Sequence, residues 1–266
     1  MDADARAAAP SPRDGYTAAQ VRAAERPLLE AGEPLMQRAA AALAGEVSAL
    51  LATSASGTVR EPGADAASRP VIVVLAGSGD NGGDALFAGA HLAARGADVR
   101  IVAVGSRVHA GGAHAARAAG ATRLETDADP GAFDAMIRAA DVIVDGILGI
   151  GAAASPALRG TARDAVARVR AVLGPEWVSG AGREPRHPLV VAVDLPSGIS
   201  PDDGVVPDPT VLPADVTVTM GAVKAGLLVG PAVAFVGRVV LVDLGLGPAL
   251  AGVQPVATGG WRHDLP

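Results

Sequence analysis

Three apolar runs of the sequence end in the same way. VIVVLA (Val71 to Ala76) opens into GSGDNGGD, DVIVDGILGIG (141–151) into its own glycine turn, and LVVAVDLPSG (189–198) into Asp-Leu-Pro-Ser-Gly. Runs this uniformly apolar are wetted on neither side, so they belong to a parallel sheet covered on both faces. Helical patterns separate them. Gly83 to Ala94 reads as a helix stopped at Gly96, 110–119 and 131–140 as shorter helices, and Pro156 to Leu173 as a long one. VRIVAV (99–104), ADVTVTMG (214–221) and GRVVLVDLG (237–245) supply further strands. Alternation of this kind predicts an α/β fold, a doubly wound three-layer α/β/α sandwich on a mostly parallel sheet.

Ahead of the sheet, Val21, Ala24, Leu28, Leu35, Met36, Ala39, Leu43 and Val47 follow a helical period, broken at Gly32 and Pro34 into two helices. Thr17 with Gln20 three residues on has the spacing of a capping box. Residues 1–15 read as a disordered leader, 53–69 as a loop, 174–188 as an exposed insertion, and 247–266 as a loosely ordered tail. No repeat or linker divides 16–246, which reads as one domain. Half of the residues are hydrophobic but only 2% aromatic, so the core is Val, Leu, Ile and Ala.

Composition narrows the function. A net charge of −6 without a basic run argues against nucleic acid, and the absence of cysteine excludes disulfides and thiolate metal sites. No apolar run approaches a membrane span, and the N-terminus lacks a signal-peptide core, so a soluble cytoplasmic protein is the expectation. The five histidines have no ligand spacing and read as surface residues. Lys224 is the only lysine in an arginine-rich chain, and Asn81 the only asparagine. Each suggests a position where a compact ammonium or a neutral amide is needed.

In doubly wound folds ligands bind beyond the carboxyl ends of the strands, where the strand order switches. Asp80, Asn81, Asp84, Asp145, Asp194 and Ser197 all fall at such ends. Gly77, Gly79 and Gly82 fit G-x-G-x-x-G, but a dinucleotide cofactor fits poorly. Asp80 and Asp84 would oppose a pyrophosphate, and the second strand ends in Val104-Gly105-Ser106-Arg107 without the acid that holds a ribose. Asp145, inside an apolar strand, is either a cap for backbone amides or a ligand for a cation. Asp194 and Ser197 admit an ordinary turn as well as a site. Oxygens of Asn81, Asp145 and Ser197 would suit a hard cation, and a single carboxylate among neutral oxygens favours a monovalent one.

GSGDNGGD, DVIVDGILGIG, VVAVDLPSGI and GAVKAGLLVGPA, in that order after helices carrying Tyr16-Thr17, Gln20, Glu25 and 35–40, resemble the NAD(P)H-hydrate epimerases of the YjeF N-terminal domain family over about residues 16–246. The resemblance implies a Rossmann-like sandwich, often a homodimer with bound potassium. The activity it implies is interconversion of the R and S forms of hydrated NADH or NADPH, ahead of a dehydratase partner that takes the S form. By position, Asp80, Asn81, Gly82, Gly83 and Asp84 would contact the nucleotide. Gly149, Ile150, Gly151, Ala152, Ala153, Ala154 and Ser155 would bind its phosphates through backbone amides. Asp194 would meet the hydrated ring as a catalytic residue, with Lys224 the matching lysine. Asn81, Asp145 and Ser197 would hold the ion. The chain departs from the family in having Asp80 for Asn, Ala85 for Gly, and a longer, alanine-rich loop at 149–159. A non-catalytic binding protein and an NAD-dependent oxidoreductase are the alternative readings.

Overall fold

The computed structural model describes residues 11, 13–57, 69–124, 130–175 and 187–259. Residues 1–10 of the expected leader, 58–68 of the loop expected at 53–69, most of the expected insertion at 174–188 and residues 260–266 lie outside the described residues, while 53–57 are helical rather than loop. In chain order the strands are β1 (Asp14–Tyr16), β2 (Val71–Ala76), β3 (Asp98–Ala103), β4 (Thr122–Leu124), β5 (Val142–Gly146), β6 (Leu189–Val193), β7 (Val216–Met220), β8 (Val223–Lys224), β9 (Arg238–Val242) and β10 (Ala257–Thr258). The helices are α1 (Ala18–Glu30), α2 (Leu35–Gly57), α3 (Asp80–Ala94), α4 (Ala110–Ala118), α5 (Pro130–Ala139), α6 (Gly160–Leu173) and the short α7 (Gly247–Leu250).

Seven strands form one sheet in the order β4-β3-β2-β5-β6-β7-β9, with every pairing parallel. The strand order reverses between β2 and β5. There Leu75 lies beside Asp145 and Ala76 beside Gly146. The turns after these two strands therefore leave the sheet side by side, at the place where such folds bind ligands. Alternate residues feed opposite layers. Ile72 and Val74 pack with Val142, Val144, Val191 and Val193 under α2 and α3, whereas Val73, Leu75, Ile143 and Val190 pack under α5 and α6. Between α2 and α3 the fill is largely alanine, with Ala39, Ala40, Ala44, Ala85 and Ala88 all buried. The expected three-layer sandwich with an aliphatic core is the observed one.

Thr17 caps α1 as its spacing suggests. The Gln20 amide donates to Thr17 Oγ1 at 3.2 Å, and the Thr17 amide donates to Gln20 Oε1 at 2.8 Å. Several boundaries differ from the sequence reading. The helix after β2 begins at Asp80 rather than Gly83, because the Gly83 amide already donates to the Gly79 carbonyl at 3.1 Å. The helix expected from Pro156 begins at Gly160. Ile150–Ala152 forms a 3-10 turn, and Arg159, in extended conformation, caps α6. β4 goes unread in the sequence because Thr122 and Arg123 are exposed on an edge and have no apolar run.

The ends of the chain are the largest correction. Asp14 and Gly15 belong to β1, not to a leader, and part of the supposed tail is structured. β1 pairs in parallel with β8 and antiparallel with β10, making a second sheet of three strands. The Val256 amide donates to Gly15 O at 2.9 Å and the Gly259 amide to Arg13 O at 3.1 Å. Leu246 and Leu250 pack with Tyr16 and Val21. This sheet places Tyr16 beside Lys224 and fixes where α1 starts.

Candidate active site

The glycines after β2 answer to the protein's own backbone before any ligand. A Cβ on Gly77 would lie 1.9 Å from the Ile147 carbonyl oxygen, and one on Gly82 would lie 2.2 Å from the Gly77 oxygen. Neither could be accommodated. The close approach that these glycines permit is thus an approach of this turn to the β5 turn and to itself. Gly79 has open space. Asp80 stands exposed at the rim of the first turn of α3, while Asn81, Gly82 and Gly83 are buried.

Behind this turn the three expected ion ligands come together. Ser197 donates to Asp145 from its amide at 2.9 Å and from its hydroxyl at 2.6 Å, and the Ile147 amide adds a third bond at 3.3 Å. The Leu148 amide donates to Ser197 Oγ at 2.8 Å. Asn81 Nδ2 donates at 3.0 Å to both Leu148 O and Val193 O. Its amide oxygen faces Gly149, where an added Cβ would lie 2.9 Å away. Asp145 is wholly buried, and burial raises its carboxyl above the usual carboxylate range, opposed by these hydrogen bonds. The amide-capping reading of Asp145 is therefore realised, and all of its partners are neutral.

Beyond β6 the chain turns sharply. The Leu195 amide reaches back to the Val193 oxygen at 2.8 Å, with Asp194 between them at φ +68°. Asp194 is the only described non-glycine residue with positive φ. Such a backbone is held against a cost of about 1 kcal/mol or more, which points to function. It aims the carboxylate at Lys224. Lys224 Nζ makes a close ion pair with Asp194 Oδ1 and donates to Met220 O at 2.7 Å and Thr219 Oγ1 at 3.3 Å. Three donors meet three acceptors around a compact ammonium, which a planar guanidinium could not match. The Met220 amide gives Asp194 a further bond at 3.2 Å.

Asp84, one turn into α3, has the opposite surroundings. Its Oδ1 is buried without a hydrogen-bond partner among the described residues. Burial first, then the charges of Asp194, Asp80 and Glu25, push the carboxyl up to about 8, with Lys224 opposing. Glu25 reaches this cluster from α1. Its own carboxyl is raised by burial, with Lys224 acting the other way. The sequence reading did not place Glu25 in the site; the β1–β8 pairing and the bonds of Ala18 to Asp202 and of Arg22 to Ile150 bring α1 there.

Part of the backbone of the loop expected to bind phosphates is already engaged. The amides of Ala152, Ala153 and Ser155 are spent on Gly149, Ile150 and Ala152 oxygens at 3.0, 3.1 and 2.8 Å. They are therefore turned away from a ligand, contrary to expectation. The Ile150 and Gly151 amides carry no hydrogen bond among the described residues. Arg22 Nη2, from α1, donates to Ile150 O at 2.5 Å, and Arg159 Nη2 to Ser155 Oγ at 2.7 Å, so two cations that the sequence reading missed flank the loop. Of the histidines, His109 is not simply a surface residue. It caps α4 by accepting from the Gly112 amide at 3.0 Å and packs edge-on against Phe87.

Residues 32–226 match the family described as YjeF-related protein N-terminus. The chain belongs to that family. It is 51% identical to an NAD(P)H-hydrate epimerase of Clavibacter sepedonicus across 92% of this chain and 95% of the relative. The epimerase of Microbacterium testaceum is 47% identical, over 91% and 83% of the two chains. A bifunctional NAD(P)H-hydrate repair enzyme of Mycobacterium tuberculosis is 37% identical over 88% of this chain but 42% of its own length. The crystal structure of yeast ynu0 shares the YjeF-type fold with a TM-score of 0.63 at 18% identity, covering 92% of this chain and 96% of the yeast one.

Proposed function

We propose that the chain is an NAD(P)H-hydrate epimerase, an isomerase that interconverts the R and S forms of hydrated NADH and NADPH. The observation that carries this reading is the buried Asp194–Lys224 pair facing Asp84 across the switch point, in a chain about half identical to epimerases along nearly its whole length. An acid cluster there is unsuited to a pyrophosphate and suited to proton transfer at a neutral ring. This favours hydrated nucleotide as substrate over intact dinucleotide as cofactor.

The hydroxyl of the substrate sits on a carbon next to the ring nitrogen. Asp194, held by the ammonium, takes a proton from or returns one to the oxygen at that carbon. Lys224 fixes the carboxylate and balances its charge. Asp80, Asn81, Gly82 and Gly83 border the ring, the two glycines packed against Gly77, Met36 and His109 rather than opening space for it. The Gly149–Ser155 loop takes the phosphates through the Ile150 and Gly151 amides, with Arg22 beside it.

Potassium fits the residues present. Asp145 is a fully buried carboxylate with neutral partners only, and the neighbouring oxygens of Ser197 and Asn81 make a donor set of one charge. Bound by these three, a monovalent cation would neutralise Asp145 and lock the β5 and β6 turns together. The bifunctional relatives support a dehydratase as functional partner, and the family resemblance supports a homodimer. No helix among the described residues is long and apolar enough to cross a membrane.

The test is to incubate the R form of hydrated NADPH with the protein while a dehydratase consumes the S form. Faster consumption than the spontaneous rate is expected. Hydride transfer from intact NADPH to carbonyl substrates, without epimerisation, would instead make the protein an oxidoreductase.

A further inference from the structure

Two carboxyls face the reacting ring in this reading, and their surroundings differ in kind. Asp194 is met by an ammonium and a backbone amide. Asp84 is met by other acids. Asp80 lies one turn back on its own helix, Glu25 comes from α1, and Asp194 stands at the end of β6. Among the described residues Lys224 on β8 is the one cation that bears on it, and that cation is already engaged by Asp194. His109, the N-cap of α4, is occupied in accepting from the Gly112 amide. With Oδ1 buried and unpartnered, an ionised Asp84 would be an uncompensated charge among charges of its own sign.

We propose that Asp84 is the proton donor of the reaction, working opposite the Asp194–Lys224 pair. This rests on the epimerase reading and adds a division of labour to it. Asp84 gives its proton to the departing hydroxyl. The carbon–oxygen bond breaks with its electron pair leaving on oxygen, as water. The ring-nitrogen lone pair closes a C=N⁺ bond, so the ring becomes a conjugated iminium. A water then adds to the same carbon from the other face, the C=N pair returns to nitrogen, and the Asp194 carboxylate takes the proton released. Proton exchange with solvent resets both carboxyls. Nothing is oxidised or reduced, and the reverse direction exchanges the two roles. A carboxyl that stays protonated up to about pH 8 suits the first step, as burial and like charges serve general acids elsewhere.

The experiment compares wild type with Asp84→Asn and Asp84→Glu over pH 6–10, reading kcat, KM and the binding of the R form. Wild-type kcat is expected to fall as pH rises through about 8. Asp84→Asn should lose about 100-fold or more in kcat, with binding largely kept and no alkaline limb, and Asp84→Glu should recover part of the rate. Separately from the kinetics, a wild-type aspartate carboxyl resonance should titrate near 8 and be absent from Asp84→Asn. An active wild type with Asp84→Asn equally active and retaining the limb, or with every carboxyl titrating in the ordinary range, would overturn the donor and leave the epimerase standing. A folded wild type that does not epimerise would overturn both.

Discussion

At the scale of single residues, the site separates charges by what they touch. Lys224 is buried to 1% exposure and spends all three donors on Asp194, Met220 and Thr219. Replacing it with Met should leave Asp194 buried and unpaired, at a cost of roughly 3–5 kcal/mol, read as a drop in Tm and in denaturant midpoint. Ser197→Ala removes both a donor to Asp145 and the acceptor for the Leu148 amide, and should cost about 1–3 kcal/mol. Asp84 makes a prediction about pH. Its carboxyl is raised in the folded state from 3.8 to about 8, so across that window the native state binds the extra proton. The stability it contributes is fully present below about 4 and lost as pH rises through about 8. Asp84→Asn should therefore gain Tm over wild type steadily from pH 5 to 8, by about 2–4 °C for each kcal/mol, and level off above. A constant difference across pH would contradict this. The single lysine and single asparagine were legible as special from their isolation in the sequence. The acidity of Asp84 was not, because it depends on which other acids the fold brings near.

At the scale of elements, the two glycine turns support each other more than they await a ligand. Gly77→Ala should be severely destabilising or fail to fold, since its methyl would meet the Ile147 carbonyl. Gly79→Ala, which has open space and ordinary φ, should leave Tm unchanged, so circular-dichroism melts of the pair isolate the packing of the turns. The long apolar strands and their polar endings were legible because each is a local pattern. The helix boundaries at Asp80 and Gly160 were not, because hydrogen bonding in the turns, not periodicity, decides where these helices start. Arg22 and Glu25 escaped for a related reason. They reach the site through β1 and β8, strands of three and two residues, too short to carry a period. Their partners lie more than a hundred positions away, as Arg22 and Ile150 show.

At the scale of the molecule, both ends of the described chain are tied to the site. β10 covers β1, β1 lies along β8, and β8 ends in Lys224. Truncation before Val253 should thus lower activity as well as stability, although no residue beyond Lys224 faces the acid cluster in this account. Potassium should raise Tm above the value in equal sodium, and Asp145→Asn should abolish the difference. The measurement that bears most directly on the central claim sets wild type and Asp194→Asn side by side, both checked as folded. It reads the rate at which the R form of hydrated NADPH is passed to an excess of dehydratase. Acceleration over the spontaneous rate is expected from the wild type, and near-complete loss in Asp194→Asn with nucleotide binding kept. Equal acceleration by both, or by neither, would contradict the claim.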